Sequence, residues 1–390
     1  MLNLVRGGLQ AELDHFFHSA LGHEDPRQVS KSAFCQARKK LKPEALRSLL
    51  HHIAAQTKQQ LPVPRWHGLR VLAADGSTLR MLDHGDLRES FGGMTPTCGQ
   101  FRVLARAVSI FDVATQTTID AELSSYQTGE RALLVKMLDR ITSDNLLLLD
   151  RGFPSFALLY ALEQRQIPFC VRLDPRHWNQ AKQFMRSGHS DRIIEFTPSC
   201  AIAKTLRKRG ITPHAVNLRL VKHPLPNGGE LVLLTSVLDA AITPAQFGEL
   251  YQWRWRIEEG FKHIKSRTEI ENWTGMSSLS VKQDFYCKLI NANFAALLAY
   301  SSQVAPENLD AINAIHSNGW RIRPNLTYIL SQLKHRLPQM LLGLRSIRRI
   351  VTMLLDLIVK TRERTKPNRR NPRKVGVKLQ GHHRAYKRCA

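Results

Sequence analysis

Four polar residues of types that bind phosphate or metal ions recur within one segment of the sequence. They are Tyr251, Arg254, Glu258 and Lys265. The segment opens with Thr243-Pro-Ala-Gln246, a capping box with proline at the first helical position, which predicts a long helix to about Lys265. At about 100° per residue, the four residues fall within about 60° of arc on that helix. The neighbouring stripe is apolar and is formed by Leu250, Trp253, Ile257, Phe261 and Ile264.

The length of this stripe limits what it can bind. A helix rises about 1.5 Å per residue, so Tyr251 and Lys265 lie about 10 Å on either side of Glu258. Such a spread cannot hold one small ion, but it can hold an extended anion, such as a nucleic-acid backbone, across an acidic centre. A solvated helix face with one incidental carboxylate would give the same pattern, so the stripe alone leaves both interpretations open.

Two further carboxylates follow apolar runs that resemble buried strands. Val71-Leu-Ala-Ala74 leads into Asp75-Gly76, and Leu146–Leu149 leads into Asp150-Arg-Gly. Each aspartate alone fits an ordinary turn. Carboxylates at the ends of adjacent strands, however, converge on the crevice where ligands bind in open sheets. With Glu258 they would form a set of three, which suits hard cations such as Mg²⁺ or Mn²⁺.

The composition points to a polyanionic partner. The chain has 390 residues, with 57 Lys+Arg against 32 Asp+Glu and a formal net charge of +25. The apolar fraction of 43% is that of a packed protein and excludes wholesale disorder. Residues 321–390 alone carry a net charge of +17. Nucleic acid is therefore the leading partner and an anionic membrane surface the second; the basic end would also fit a solvated, disordered arm.

The chain divides by pattern into five segments. Residues 1–65 predict a helical region, and residues 66–173 predict strands alternating with helices. Residues 174–240 are polar, rich in Pro and Gly, and predict a β-rich insertion. Residues 241–300 return to helix and carry the stripe at Tyr251. Residues 301–390 predict a basic helical region and tail.

The residues above also match a known pattern. Tyr251-x2-Arg254-x3-Glu258-x6-Lys265 resembles the Y-R-E-K signature of bacterial insertion-sequence transposases of the type four family. Asp75 in Ala-Ala-Asp-Gly-Ser and Asp150 in Leu-Leu-Asp-Arg-Gly-Phe resemble that family's first two acids, with Glu258 as the third of a DDE triad. The resemblance extends from about residue 30 to residue 300.

This resemblance implies a fold and a reaction. The fold class would be α/β, an RNase H-like core with a β-rich insertion between Asp150 and Glu258, flanked by helical ends. Asp75, Asp150 and Glu258 would be the catalytic residues and would hold two Mg²⁺ ions, with Mn²⁺ as a substitute. Tyr251 and the two basic residues of the signature would grip DNA ends, and the N-terminal helices could bind them too. The enzyme would cut element ends and join them to target DNA, as a homodimer on terminal inverted repeats.

Two other functions fit the same residues. One is a metal nuclease that cuts without strand transfer, and the other is a catalytically retired DNA-binding regulator. The six cysteines are widely spaced and fit reduced thiols better than a zinc ribbon or a disulfide scaffold. No apolar run approaches the length of about 20 residues that a membrane span needs. These features predict a cytoplasmic protein, associated with the nucleoid and not with membranes.

Overall fold

The structure is a computed structural model. It describes residues 8–22, 24–25, 28–97, 99–225, 228–254, 257, 260, 265, 267–304 and 321–365. By its internal contacts the chain divides into two compact units. The first comprises Met1–His52, Arg80–Val103 and Lys262–Ala390, and the second comprises Ile53–Leu79 and Leu104–Phe261.

Helices and strands alternate through most of the described chain. The helices are α1 (Leu9–His15), α2 (Lys31–Arg38), α3 (Pro43–Gln60), α4 (Gly85–Phe91), α5 (Glu130–Met137), α6 (Phe156–Gln164), α7 (Asn179–Arg186), α8 (Cys200–Lys208), α9 (Pro244–Gln252), α10 (Ser278–Val304), α11 (Leu326–Leu341) and α12 (Ile347–Lys360). The strands are β1 (Arg70–Arg80), β2 (Gly93–Met94), β3 (Arg102–Asp112), β4 (Thr118–Ser125), β5 (Asn145–Leu149), β6 (Phe169–Arg172), β7 (Asp191–Phe196), β8 (Val216–Pro224), β9 (Glu230–Thr235), β10 (Arg321–Arg323) and β11 (Glu363–Thr365).

The second unit is built on a mixed sheet. Its strands run in the order β4-β3-β1-β5-β6-β9-β8-β7. The pairs β1–β5 and β5–β6 are parallel. The pairs β3–β4, β6–β9, β9–β8 and β8–β7 are antiparallel. The first five strands, in the order β4-β3-β1-β5-β6, have the topology of an RNase H-like core. The predicted α/β fold class is confirmed.

The parallel strands at the centre of this sheet are apolar, and helices cover them. Every residue of β5 is buried. Long apolar runs of this kind form strands in sheets that are covered on both faces. Leu133, Leu134 and Met137 of α5 and Leu158 of α6 pack on one face, in a cluster that includes residues of β1, β3, β5 and β6.

The segment 174–240 contains more than strands. It carries α7, β7, α8, β8 and β9, and its strands join the main sheet where β9 pairs with β6. Apolar β8 and β9 can extend the sheet because both are buried along most of their length. The five segment boundaries inferred from sequence remain predictions.

The first unit is mainly helical. In its C-terminal part α10, α11 and α12 bury a common apolar cluster, formed by Ala295, Ile329, Leu330, Leu333, Ile350, Leu354 and Ile358. The predicted tail from residue 366 onward lies outside the described residues. Within the described part of the chain, no helix combines the length and the apolar character needed to cross a bilayer.

Two local predictions were wrong. The Asp75–Gly76 pair does not end a strand, because β1 continues through it to Arg80 alongside the equally long β3. The helix that begins after Thr243 ends at Gln252. There the hydrogen bonds change to the i to i−3 pattern that is typical of a helix end. The N–H of Trp253 donates to the carbonyl of Leu250, and the N–H of Arg254 donates to the carbonyl of Tyr251.

Candidate active site on the main sheet

Asp75 and Asp150 occupy equivalent positions on adjacent strands. The parallel register between β1 and β5 ends with the pair Ala74↔Leu149. Asp75 is the next residue on β1, and Asp150 directly follows β5. Since neighbouring strands are about 4.8 Å apart, the backbones of the two aspartates lie side by side within about that distance. The structure therefore brings these two predicted residues together.

The alternation of side chains places both carboxylates on one face of the sheet. Leu72, Ala74, Leu147 and Leu149 all belong to the apolar cluster that α5 and α6 cover. Successive side chains of a strand point to opposite faces. The residues that follow Ala74 and Leu149 therefore point away from that cluster, and both aspartates lie on the opposite face.

Tyr251 contacts Asp150 directly. Its hydroxyl donates to the carbonyl oxygen of Leu149 at 3.2 Å and to Oδ1 of Asp150 at 3.4 Å. Helix α9 positions this tyrosine, and the predicted capping box at its start is confirmed. The hydroxyl of Thr243 accepts from the Gln246 N–H at 3.4 Å, and the Gln246 side chain accepts from the Thr243 N–H at 2.8 Å.

The surroundings of Tyr251 keep it protonated. Burial raises the pKa of its hydroxyl well above the ordinary value, while the charge of Arg254 lowers it and that of Asp150 raises it. The raised pKa favours the protonated phenol, which donates to the Asp150 carboxylate. This hydrogen bond restricts the rotation of that carboxylate.

Arg254 lies beside the same tyrosine. Its guanidinium carbon is 5.7 Å from the centre of the Tyr251 ring, and the residue is only 4% exposed. The burial of Arg254 and Tyr251 leaves them little surface for an external ligand. The phosphate contacts predicted for these two residues remain predictions.

The two remaining residues of the predicted signature need separate description. Glu258 lies outside the described residues. Lys265 belongs to the first unit and is half-buried. Burial lowers the pKa of its amine, the charge of Glu271 raises it, and that of Arg80 lowers it.

Carboxylate oxygens suit a divalent metal ion at this face. Among the described residues, no group of three or more His, Cys, Asp or Glu side chains is close enough to hold one. Asp75 and Asp150 supply hard oxygen ligands of the type that Mg²⁺ and Mn²⁺ prefer. The donor set therefore fits such an ion and needs a further oxygen ligand to complete it.

Sequence reasoning missed two residues next to this site. Arg106 of β3 and Glu130 of α5 lie against Gly76 and Thr78, immediately beyond Asp75 on β1. No spacing in the sequence relates positions 76, 106 and 130. Only the folded sheet brings them together.

Comparison with known proteins identifies the family of this chain. Residues 66–294 match the family model of the transposase DDE domain. The chain belongs to this family. The matched range includes Asp75, Asp150 and the whole Y-R-E-K segment, and the resemblance to insertion-sequence transposases of type four is confirmed.

Two relatives from Escherichia coli (strain K12) are transposases by name. The transposase InsG for insertion sequence element IS4 is 26% identical over 250 residues, which cover 61% of this chain and 53% of InsG. The putative transposase InsZ is 28% identical over 167 residues, which cover 41% of this chain and 52% of InsZ. The chain thus spans about half the length of the relatives it matches.

A solved structure is similar at a lower level. This is the piggyBac transposase in a synaptic complex with hairpin DNA. The similarity covers 92% of this chain and 73% of that chain, with 12% sequence identity and a TM-score of 0.45. The RNase H-like assignment rests on the strand order and pairing of the second unit.

The contact between Tyr251 and Asp150 can be tested by Tyr251→Phe. Loss of the hydroxyl frees the Asp150 carboxylate to rotate, and we expect metal-dependent cleavage to fall about tenfold, as when a supporting partner of a metal ligand is removed. Tyr160→Phe is the matched control, since the buried Tyr160 hydroxyl donates to the carbonyl of His214 in the same unit. Equal cleavage rates for the two variants would contradict an orienting role for Tyr251.

Proposed function

We propose that this protein is a DNA transposase that cuts DNA at the ends of an insertion sequence and joins those ends to target DNA. The central support is the position of Asp75 and Asp150, each one residue beyond the last pair (Ala74↔Leu149) of two adjacent parallel strands, in a chain of the transposase DDE domain family. The cofactor of the proposal is Mg²⁺, with two ions per site and Mn²⁺ as a substitute. The partners are double-stranded DNA and a second copy of the chain.

In this proposal Asp75, Asp150 and Glu258 hold the metal ions. When bound, such ions activate a water or a 3′-hydroxyl and stabilise the leaving oxygen of a phosphodiester. Tyr251 fixes the rotamer of Asp150 through its hydroxyl. The spacing of the neighbouring strands β1 and β5 sets the separation of the two aspartates, so their carboxylates can bind the ions in a defined geometry.

The basic residues of the signature bind phosphates in this proposal. Lys265 is half-buried, so part of its side chain is open to a DNA backbone. Arg254 is buried beside Tyr251 and reaches a phosphate only after the site opens. The overall charge of +25 draws the polyanion to the protein.

Cleavage of the element's own terminal repeats tests the function. Purified protein is incubated with labelled terminal-repeat duplex and target plasmid, with Mg²⁺ or with EDTA. We expect nicked ends and joined products with Mg²⁺ alone, and neither product with Glu258→Gln. Nicks without joined products would favour the metal nuclease, and binding without cleavage in Mg²⁺ or Mn²⁺ would favour the regulator.

The salt dependence of DNA binding tests Lys265 separately. Each phosphate contact made by a lysine adds about one unit to the slope of log affinity against log salt. We expect Lys265→Ala to reduce that slope by about one unit for end DNA. Lys136→Ala, at an exposed lysine of α5 outside the signature, is the control and should leave the slope unchanged. An unchanged slope for Lys265→Ala would remove this residue from the DNA contact.

A further inference from the structure

The residue after Asp75 has no side chain, and a carboxylate fills the space that one would need. A Cβ atom built on Gly76 would lie 2.2 Å from Cδ of Glu130 and 2.5 and 2.6 Å from its two oxygens. These separations are far below van der Waals contact. Glu130 can therefore press against the backbone of β1 only because position 76 is glycine.

Arg106 holds Glu130 in that place. One guanidinium nitrogen donates to Oε1 of Glu130 at 3.1 Å and to Oγ1 of Thr78 at 3.2 Å. The guanidinium also lies over the Tyr126 ring, 4.8 Å from its centre. Arg106 thus ties the first residue of α5 to β1 two positions beyond Gly76. We call Arg106 and Glu130 together the β1 clamp.

The β1 clamp acts on the face of the sheet opposite to Asp75. Gly76 and Thr78 have the same strand parity as Leu72 and Ala74, which belong to the cluster under α5 and α6. Asp75 has the other parity. Glu130 therefore supports the backbone of β1 from behind and does not reach an ion that Asp75 would hold.

Asp75 lies where the pairing between β1 and β5 ends. Strand β5 ends at Leu149, opposite Ala74, and Asp75 is one residue beyond that last pair. The carboxylates of Asp75 and Asp150 repel each other when no cation lies between them. A contact behind the backbone of β1 opposes a shift of the strand that would separate the two carboxylates.

We propose that the β1 clamp is a positioning device, which holds the Asp75 carboxylate next to Asp150 and so raises affinity for a divalent cation. This inference rests on the proposed function of the site. It adds two residues of the opposite face to that site, and it gives a physical reason for glycine at position 76.

Binding of Mn²⁺ alone to the full-length protein provides a test that is independent of cleavage. Free Mn²⁺ is followed by electron paramagnetic resonance during titration of wild type, Glu130→Gln, Gly76→Ala, Glu163→Gln, Glu130→Ala and the double variant Gly76→Ala/Glu130→Ala. We expect the dissociation constant to rise about tenfold in the first two variants, as when the support of a metal ligand is lost. Glu163→Gln should match wild type, since Glu163 lies on α6 of the same unit and pairs with His214. The double variant Gly76→Ala/Glu130→Ala should match Glu130→Ala alone, because the new methyl group then has room.

Cleavage assays separate positioning from general damage. The Mn²⁺ concentration for half-maximal cleavage should rise by the same factor in Glu130→Gln, while the rate at saturating Mn²⁺ stays near that of wild type. A wild-type Mn²⁺ affinity in Glu130→Gln, or additive losses in the double variant, would overturn the inference while wild-type cleavage upholds the proposed function. Absence of Mn²⁺ binding and cleavage in the wild type would instead overturn the proposed function, and the inference with it.

Discussion

Replacement of Asp150 by asparagine should abolish strand cleavage while the protein stays folded and continues to bind end DNA. Asparagine keeps the size of the side chain and an oxygen that can accept the Tyr251 hydrogen bond, but it removes the negative charge that a divalent ion needs. Metal-ion catalysis contributes several kcal/mol to the transition state, and each 1.36 kcal/mol is tenfold in rate, so cleavage should fall by at least about a thousandfold. Asp75→Asn should have an equal effect. Single-turnover cleavage of labelled duplex measures both.

An aspartate on the surface of the same unit provides the control. Asp139 pairs with Arg165 at 2.8 Å, and its side chain is 76% exposed. Asp139→Asn should cleave as wild type does. If Asp150→Asn retained more than about a tenth of wild-type activity, a loss of under 1.4 kcal/mol, its carboxylate would not be a metal ligand.

Replacement of Arg38 by methionine should strongly destabilise the first unit. The Arg38 guanidinium donates to Oδ1 of Asp284 at 2.7 Å and to the carbonyl of Ser280 at 2.7 Å, and it also bonds Gln283 and Thr274. Both members of the ion pair are less than 10% exposed. Removal of one member leaves a buried, uncompensated carboxylate, and this costs about 3–5 kcal/mol in the free energy of unfolding. Urea denaturation followed by circular dichroism measures the loss.

Two further variants complete that experiment. Arg38→Met/Asp284→Leu removes both charges and should recover most of the lost stability, because well-packed apolar residues often replace a buried ion pair at little cost. Arg88 pairs with Asp83 on the surface of the same unit, where both side chains are more than half exposed. Arg88→Met should leave the denaturation midpoint unchanged, since exposed ion pairs add little. Equal midpoints for Arg38→Met and Arg88→Met would show that the buried network does not stabilise the fold.

Local sequence predicts elements well where their cause is local. The all-apolar run Leu146–Leu149 falls within β5, and the capping box at Thr243 starts α9 with its proline in the first turn. Apolar runs and capping side chains act within a few residues of themselves, so a sequence shows them directly. Strands β3 and β4 are a further local case, because they are consecutive in the chain and pair with each other.

Predictions were wrong where a distant partner overrides a local signal. An Asp-Gly pair usually marks a turn, but at Asp75–Gly76 the neighbouring strand β3 keeps the backbone extended. Helical spacing predicted one continuous helix past Arg254, whereas α9 ends at Gln252. Nothing within these few residues reveals what packs against them in the folded chain.

By itself, the sequence determined the transposase family, the α/β class and the identity of the candidate acids. Those properties depend on residue types and spacings, which the chain carries whether or not it is folded. Only the tertiary structure decided that Asp75 and Asp150 lie on one face just beyond the Ala74↔Leu149 pair, that Tyr251 donates to Asp150, and that Glu130 lies against Gly76. These relations join residues up to about a hundred positions apart, and they arise from strand register and side-chain alternation once the sheet has formed.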